Sequence, residues 1–208
     1  MGIRRERREK RREEILEAAL ELFVSKGYAE TKISDIAEKV NMSVGLLFHY
    51  FESKASLYEE LIWIGVKGPL TVMEPDERDP VRFLEGAAAY ILSGLKENKS
   101  VARMFVFMTQ VRLSSSIPES VRDMVREQQL LEKTVDIVKK GQAAGQIRPG
   151  NPEALSVLFW QSLSGVALYA AFYPDAPLPK AEWIVDGLRK KIGIHAVDET
   201  KTAGKWKN

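Results

Sequence analysis

With 45% hydrophobic and 29% charged residues, this chain of 208 residues has the composition of one large or two modest globular domains, not of a disordered segment. Its 31 Lys and Arg nearly balance 29 Asp and Glu, so the net charge of +2 says little about partners, whereas the absence of cysteine excludes disulfides and thiolate chemistry. A charged N-terminus argues against a signal peptide, and no uninterrupted apolar run approaches the ~18 residues of a membrane span; a soluble, cytoplasmic protein without a membrane partner is expected.

The charge is concentrated at the start. Residues 1–12 hold seven basic side chains against two glutamates, a local net of +5. Such an arm can embrace phosphates or a minor groove, or lie solvated as a frayed terminus. From about Arg4 to Ser25 the placing of Ile15, Ala19, Leu22 and Phe23 predicts a long helix, ended by Gly27.

Ile33, Ile36, Ala37 and Val40 then fall at i, i+3, i+4 and i+7, one apolar stripe on a short helix. Asn41, tolerant of the left-handed conformation, ends it. Ser43 is placed to cap the next helix, with Gly45 inside its first turn. A glycine there costs about 1 kcal/mol against alanine, and close approach of the backbone to a large ligand is a reason to keep it. Helix, tight turn and helix form a helix-turn-helix, whose second helix enters the major groove of DNA. Ser53 can cap a fourth helix carrying Leu57, Leu61 and Ile64 and stopping before Gly68-Pro69.

Farther on, the polar stretch Glu74 to Asp79 is the plausible break in composition. Asp79-Pro80 and Asn151-Pro152 each join a good N-cap to a proline at the first helical position. Helices are predicted over about 80–97, 100–113, 118–143, 152–172 and 180–192. The long one carries Val121, Met124, Val125, Gln128, Leu131, Val135 and Val138 on one face and is closed by Gly145. The expected architecture is all-α with about nine helices: a three-helix helix-turn-helix domain (1–54), a larger helical domain (55–195), and a disordered tail (196–208).

The order Ile36-Ala37, Val40, Asn41, Met42, Ser43, Gly45, Leu47, Phe48, Tyr50, Phe51, Lys54, Leu57 resembles the DNA-binding signature of TetR-family transcriptional regulators. The layout is similar too, down to a GQAAGQIRPGNPEAL segment like the family's entry to its penultimate helix. Three positions depart: Asn41 stands where Gly is usual, Phe48 where Tyr is, and Lys32 where a small hydroxyl caps the helix, a task Thr31 can take over. The resemblance implies a homodimer on a palindromic double-stranded DNA operator. It implies phosphate contacts from Ser43, Tyr50 and Lys54, and base-edge contacts from Val44, Leu46 and His49. Gly45 would let the backbone approach, Lys32 would join the DNA-facing set, and Ile36, Leu47 and Phe51 would hold the unit together.

Bland readings compete. A lone histidine such as His49 is more often a solvated surface group than a ligand, and Leu46 can pack inward instead of contacting thymine methyls. His195 has no matching partner and is assigned no role. No cysteine, His–carboxylate motif or phosphate-cradling glycine loop is present, so no enzyme, cofactor or metal site is expected.

Beyond the motif, Trp63, Phe83, Met104, Phe105, Phe107, Met108, Trp160, Tyr169 and Phe172 form either an ordinary core or, as the resemblance implies, the lining of an effector pocket. The candidate ligand set is Trp63, Met104, Phe107, Met108 and Trp160, with Gln110 and Gln161 as orienting polar groups beside Arg112. Small Gly165, Ala167, Ala170 and Ala171, with apolar Leu163, Val166, Trp183, Ile184, Leu188 and Ile192, offer a dimer face that would build a four-helix bundle across a twofold axis. The expected function is a ligand-responsive regulator, a repressor released by a small apolar or amphipathic molecule. The alternative is a helical protein that senses or sequesters a ligand without DNA.

Overall fold

The computed structural model describes residues 2–71, 79–114 and 129–190. Among them are nine helices: α1 Gly2–Lys26, α2 Ile33–Lys39, α3 Val44–Phe48, α4 Lys54–Thr71, α5 Pro80–Glu97, α6 Lys99–Leu113, α7 Gln129–Ala143, α8 Pro152–Phe172 and α9 Ala181–Asp186. Local chemistry sets most boundaries. The Asp79 carboxylate accepts from the Arg82 amide at 3.0 Å, and the Asn151 side chain accepts from Glu153 and Ala154 at 2.9 and 3.1 Å. Ser53 and Ser56 cap each other's amides at the start of α4. Gly27 and Gly145 end α1 and α7 in left-handed geometry, at φ 84° and 68°.

Two expected ends move. Helix α4 continues through Gly68-Pro69 to Thr71; so near a helix end a proline removes only one ladder bond, and α4 is supported sideways by α1 and α6. Helix α9 stops at Asp186 instead of about 192, because Leu188 turns back into the core. The chain there pairs as an isolated antiparallel bridge, Ile147 with Arg189, with the Arg148 amide donating to Leu188 at 2.8 Å and the Lys190 amide to Gln146 at 2.9 Å. The expected first part of the long helix with Val121, Met124, Val125 and Gln128, most of the Glu74 to Asp79 stretch, Ile192, His195 and the tail lie outside the described residues.

The buried side chains form two clusters. The first joins Ile15, Ala19 and Phe23 of α1, Ile36 and Ala37 of α2, Leu47 of α3, and Leu57, Leu61 and Ile62 of α4 to Phe107, Met108 and Val111 of α6. The second joins Leu84 and Ala88 of α5, Val138 of α7, Phe159, Leu163 and Ala167 of α8, and Val185 and Leu188. Each large apolar side chain so buried contributes about 1.5–3 kcal/mol. The expected division after residue 54 therefore runs through a packed core, since the first half of α4 and the end of α6 close the N-terminal unit.

Helix α8 has the length and apolarity of a membrane span, with a mean hydropathy of 1.4 in its most apolar window. Ser156, Phe159, Leu163, Ala167 and Ala170, however, put one whole face of it into the second core. Among the described residues it is the central helix of the body, and Ser and Gln interrupt its apolar sequence.

Candidate nucleic-acid interface

The turn between α2 and α3 is built from Asn41, at φ 52° the one non-glycine residue with positive φ among the described residues. The Met42 amide then reaches back to the Ala37 carbonyl at 2.8 Å and closes the end of α2. Ser43 caps α3, its hydroxyl accepting from the Leu46 amide at 3.2 Å. Leu47 and Phe51 are buried in the first core, with Val44 and Tyr50 half-buried against it. The opposite side presents Gly45, Leu46, Phe48 and His49 to solvent, Leu46 at 46% exposure. Leu46 thus faces outward, and Val44 is the residue that leans in. A Cβ on Gly45 would meet nothing within 4 Å in the chain itself, so no internal contact requires a glycine in this first turn.

Thr31 does not cap α2. It is fully buried, and its hydroxyl donates to the carbonyls of Leu22 (3.2 Å) and Gly27 (2.7 Å), sealing the end of α1 instead. Lys32 holds the N-cap position in extended geometry without a side-chain cap and is exposed. Asp35, in the first turn of α2, pairs with Lys26 at 3.0 Å, and that hydrogen bond holds its carboxyl below the usual range.

Lys54 also differs from expectation. Its ammonium donates to the carbonyls of Tyr28 at 2.8 Å, Thr31 at 2.9 Å and Ala29 at 3.4 Å, and sits 4.4 Å from the centroid of the Tyr28 ring. An ammonium has three donors, and all three are directed at the α1–α2 loop. A phosphate contact would have to displace one of them. Lys54→Ala is expected to destabilise the N-terminal unit by about 1.5–3 kcal/mol, seen as a lower melting temperature, while the salt slope of DNA binding stays unchanged. An unchanged melting temperature with a slope lower by about 0.9 would make Lys54 a phosphate ligand instead.

Two arginines of the basic segment have internal tasks that the sequence did not disclose. Arg11 donates to the Val40 carbonyl at 2.6 Å, at the end of α2. Arg12 forms a two-pronged ion pair with Glu60 of α4 and lies 4.7 Å from the Phe51 ring centroid. Together they pin α1 to the turn and to the residues following α3.

The seven candidate ligand residues are not gathered in one place. Phe107 is fully buried in an aromatic cluster, 5.1 Å from Tyr58 and 6.4 Å from Phe23, with Tyr58 in turn 4.4 Å from Tyr28. Burial raises the pKa of both tyrosines, with Glu59 adding to the effect at Tyr28. Met104 and Met108 cover Gly65 of α4 so closely that a Cβ there would lie 2.4 Å from the Met108 sulfur. Gln110 is exposed and donates to the Val24 carbonyl at 3.2 Å, and Trp63 is 51% exposed. Trp160 stands apart in the second cluster, its indole donating to Thr134 at 2.9 Å, while Gln161 is on the outer face of α8. Phe107 and Gln110 therefore belong to the α1–α6 seam, and Trp63 and Gln161 face outward.

Most residues expected at a dimer face lie inside the chain itself. Leu163, Ala167, Ala170 and Leu188 are buried in the chain's own core, with Val166 and Ile184 packed on it. Of that set Trp183, at 62%, and Gly165 are exposed. Buried Ala167 and Ala170 let α8 approach its own neighbours. The free face of α8 is Val157, Leu158, Gln161, Gly165, Tyr169 and Phe172, which lie within one sector of the helix and are all exposed.

A helix-turn-helix with an outward-facing second helix, carried on an all-helical body, defines a DNA-binding transcriptional regulator. The profile of bacterial regulatory proteins of the tetR family matches residues 15–61. Over 166 residues the chain is 26% identical to the uncharacterised HTH-type transcriptional regulator YvkB of Bacillus subtilis, spanning 77% of this chain and 83% of that one. It is 25% identical over 173 residues to the HTH-type transcriptional repressor KstR2 of Mycolicibacterium smegmatis, covering 81% and 82%. The fold matches that of AibR in complex with isovaleryl coenzyme A and operator DNA, with a TM-score of 0.61, 21% identity, and coverage of 85% and 95%. The tetR-family match covers the helix-turn-helix unit, and the relatives that span most of the chain are regulators rather than enzymes.

Proposed function

We propose that this protein is a cytoplasmic repressor that binds a palindromic operator as a homodimer and is released by a small apolar or amphipathic effector. The observation that carries the proposal is the short capped α3, which exposes Leu46 and His49 on either side of a turn of helix whose Gly45 leaves the backbone open. An exposed leucine suits a thymine methyl and an imidazole suits a base edge. Ser43 and Tyr50 flank them for phosphates, and Lys32 lies at the start of α2. The similarity to the repressor KstR2 supports the sign of regulation, and AibR shows that this fold accommodates an acyl coenzyme A together with operator DNA.

The route from body to head runs through the seam between α1 and α6. Ser100 donates to Glu17 at 2.7 Å, Arg103 lies 3.7 Å from Glu21, and Phe107 enters the aromatic cluster. Glu21 also accepts from Lys39 of α2 at 2.8 Å, and that hydrogen bond holds its carboxyl below the ordinary range. An effector that favours another position of α6 thus shifts α1 and the reading helix with it. Coupling of about 1–3 kcal/mol gives a severalfold to hundredfold change in operator affinity.

Selection of bound sequences from a random DNA pool tests the reading, and a twofold-symmetric site is the expected result. Leu46→Ala and His49→Ala should each change the preferred base at one pair of symmetric positions, at about 1–3 kcal/mol per affected base pair. Identical preferences at lower affinity would show that the two side chains position α3 without reading bases. No enriched sequence, together with no salt-dependent retention on DNA, would favour the ligand-binding protein without DNA.

A further inference from the structure

The first turns of α1 project beyond the first core, with residues 4–10 all exposed. Their arginines share one face. At about 100° per residue, Arg4, Arg5, Arg7, Arg8, Arg11 and Arg12 fall within a sector of about 160°, while Glu6, Glu9 and Glu13 lie on the other side together with Lys10, and Glu14, paired with Arg11, stands at the sector's edge. Solubility alone does not require such sorting.

The inner end of this arginine stripe fixes its direction. Arg11 is bonded to the Val40 carbonyl at the end of α2, and Arg12 is bonded to Glu60 and stacked on Phe51 just after α3. The stripe therefore faces the helix-turn-helix. Arg4, Arg5, Arg7 and Arg8 continue it outward by about 10 Å, and among the described residues none of these four is in an ion pair. Guanidinium groups are suited to paired hydrogen bonds with phosphate oxygens.

We infer that this arginine stripe is a second DNA contact, lying along the phosphates that flank the base pairs read by α3. The inference rests on the DNA-binding reading above and adds a footprint longer than the recognition helices alone would give. It is tested with the full-length protein, the selected operator, and a variant carrying Arg4→Gln, Arg5→Gln, Arg7→Gln and Arg8→Gln. Glutamine is as good a helix former as arginine, and helical content and melting temperature are measured alongside.

The expected result is a log–log salt slope lower by about 0.9 for each phosphate that the variant no longer neutralises, with unchanged base preference. Trimming the flanks of the operator should weaken the wild type and leave the variant indifferent. Equal salt slopes and equal responses to trimming would overturn the inference while leaving operator binding intact. A wild type that binds no DNA selectively would instead remove the reading on which it rests.

Discussion

Leu158→Glu combined with Tyr169→Glu is expected to leave the subunit folded but monomeric, and to abolish tight operator binding. Both residues lie on the face of α8 that the chain's own core leaves free, Tyr169 at 55% exposure beside Phe172 at 73%. A twofold interface counts each substitution twice, and desolvating an unpaired charge is costly. Separate subunits lose the effective concentration that joins two half-sites, an avidity factor of about 10²–10⁴. Light scattering gives the mass, and a gel-shift titration the affinity. A variant that remains dimeric would place the interface elsewhere. Leu163→Ala is the contrasting control: it empties a buried position, destabilises the subunit by about 2–5 kcal/mol, and touches no partner directly.

Phe107→Ala should cost about 3–5 kcal/mol in denaturant unfolding, the usual range for a buried phenylalanine. It should also weaken the response of operator binding to an effector. The ring is 1% exposed and has Tyr58 and Phe23 as aromatic neighbours, so its removal opens a cavity at the joint between the body and the DNA-reading unit. Unfolding free energy and the shift of operator affinity at saturating effector are the two readouts. Lost stability with full effector response would confine Phe107 to a packing role.

Much of the DNA-reading unit was legible because its signals are local. The cap at Ser43, the left-handed Asn41 and the inward Leu47, like the caps at Asp79 and Asn151 in the body, each follow from one or a few neighbouring residues. What was illegible depends on long-range contact. Helix α8 is apolar around most of its circumference, so periodicity could not tell its core face from its free face, and small residues suit either. Lys54 had the charge for a phosphate, but carbonyls more than twenty positions away in the chain took its three donors. Phe107 and Met108 are large and soft, but only packing shows that Phe107 joins Tyr58 and Phe23 and that Met108 covers Gly65.

The glutamate at the junction imposes an order of yielding. Glu21 grips Lys39 of its own DNA-reading unit at 2.8 Å with a hydrogen bond, and Arg103 of the body at 3.7 Å without one. Loosening the exposed 3.7 Å pair therefore costs less than breaking the hydrogen bond, so at this residue α1 is braced to α2 more firmly than to the start of α6.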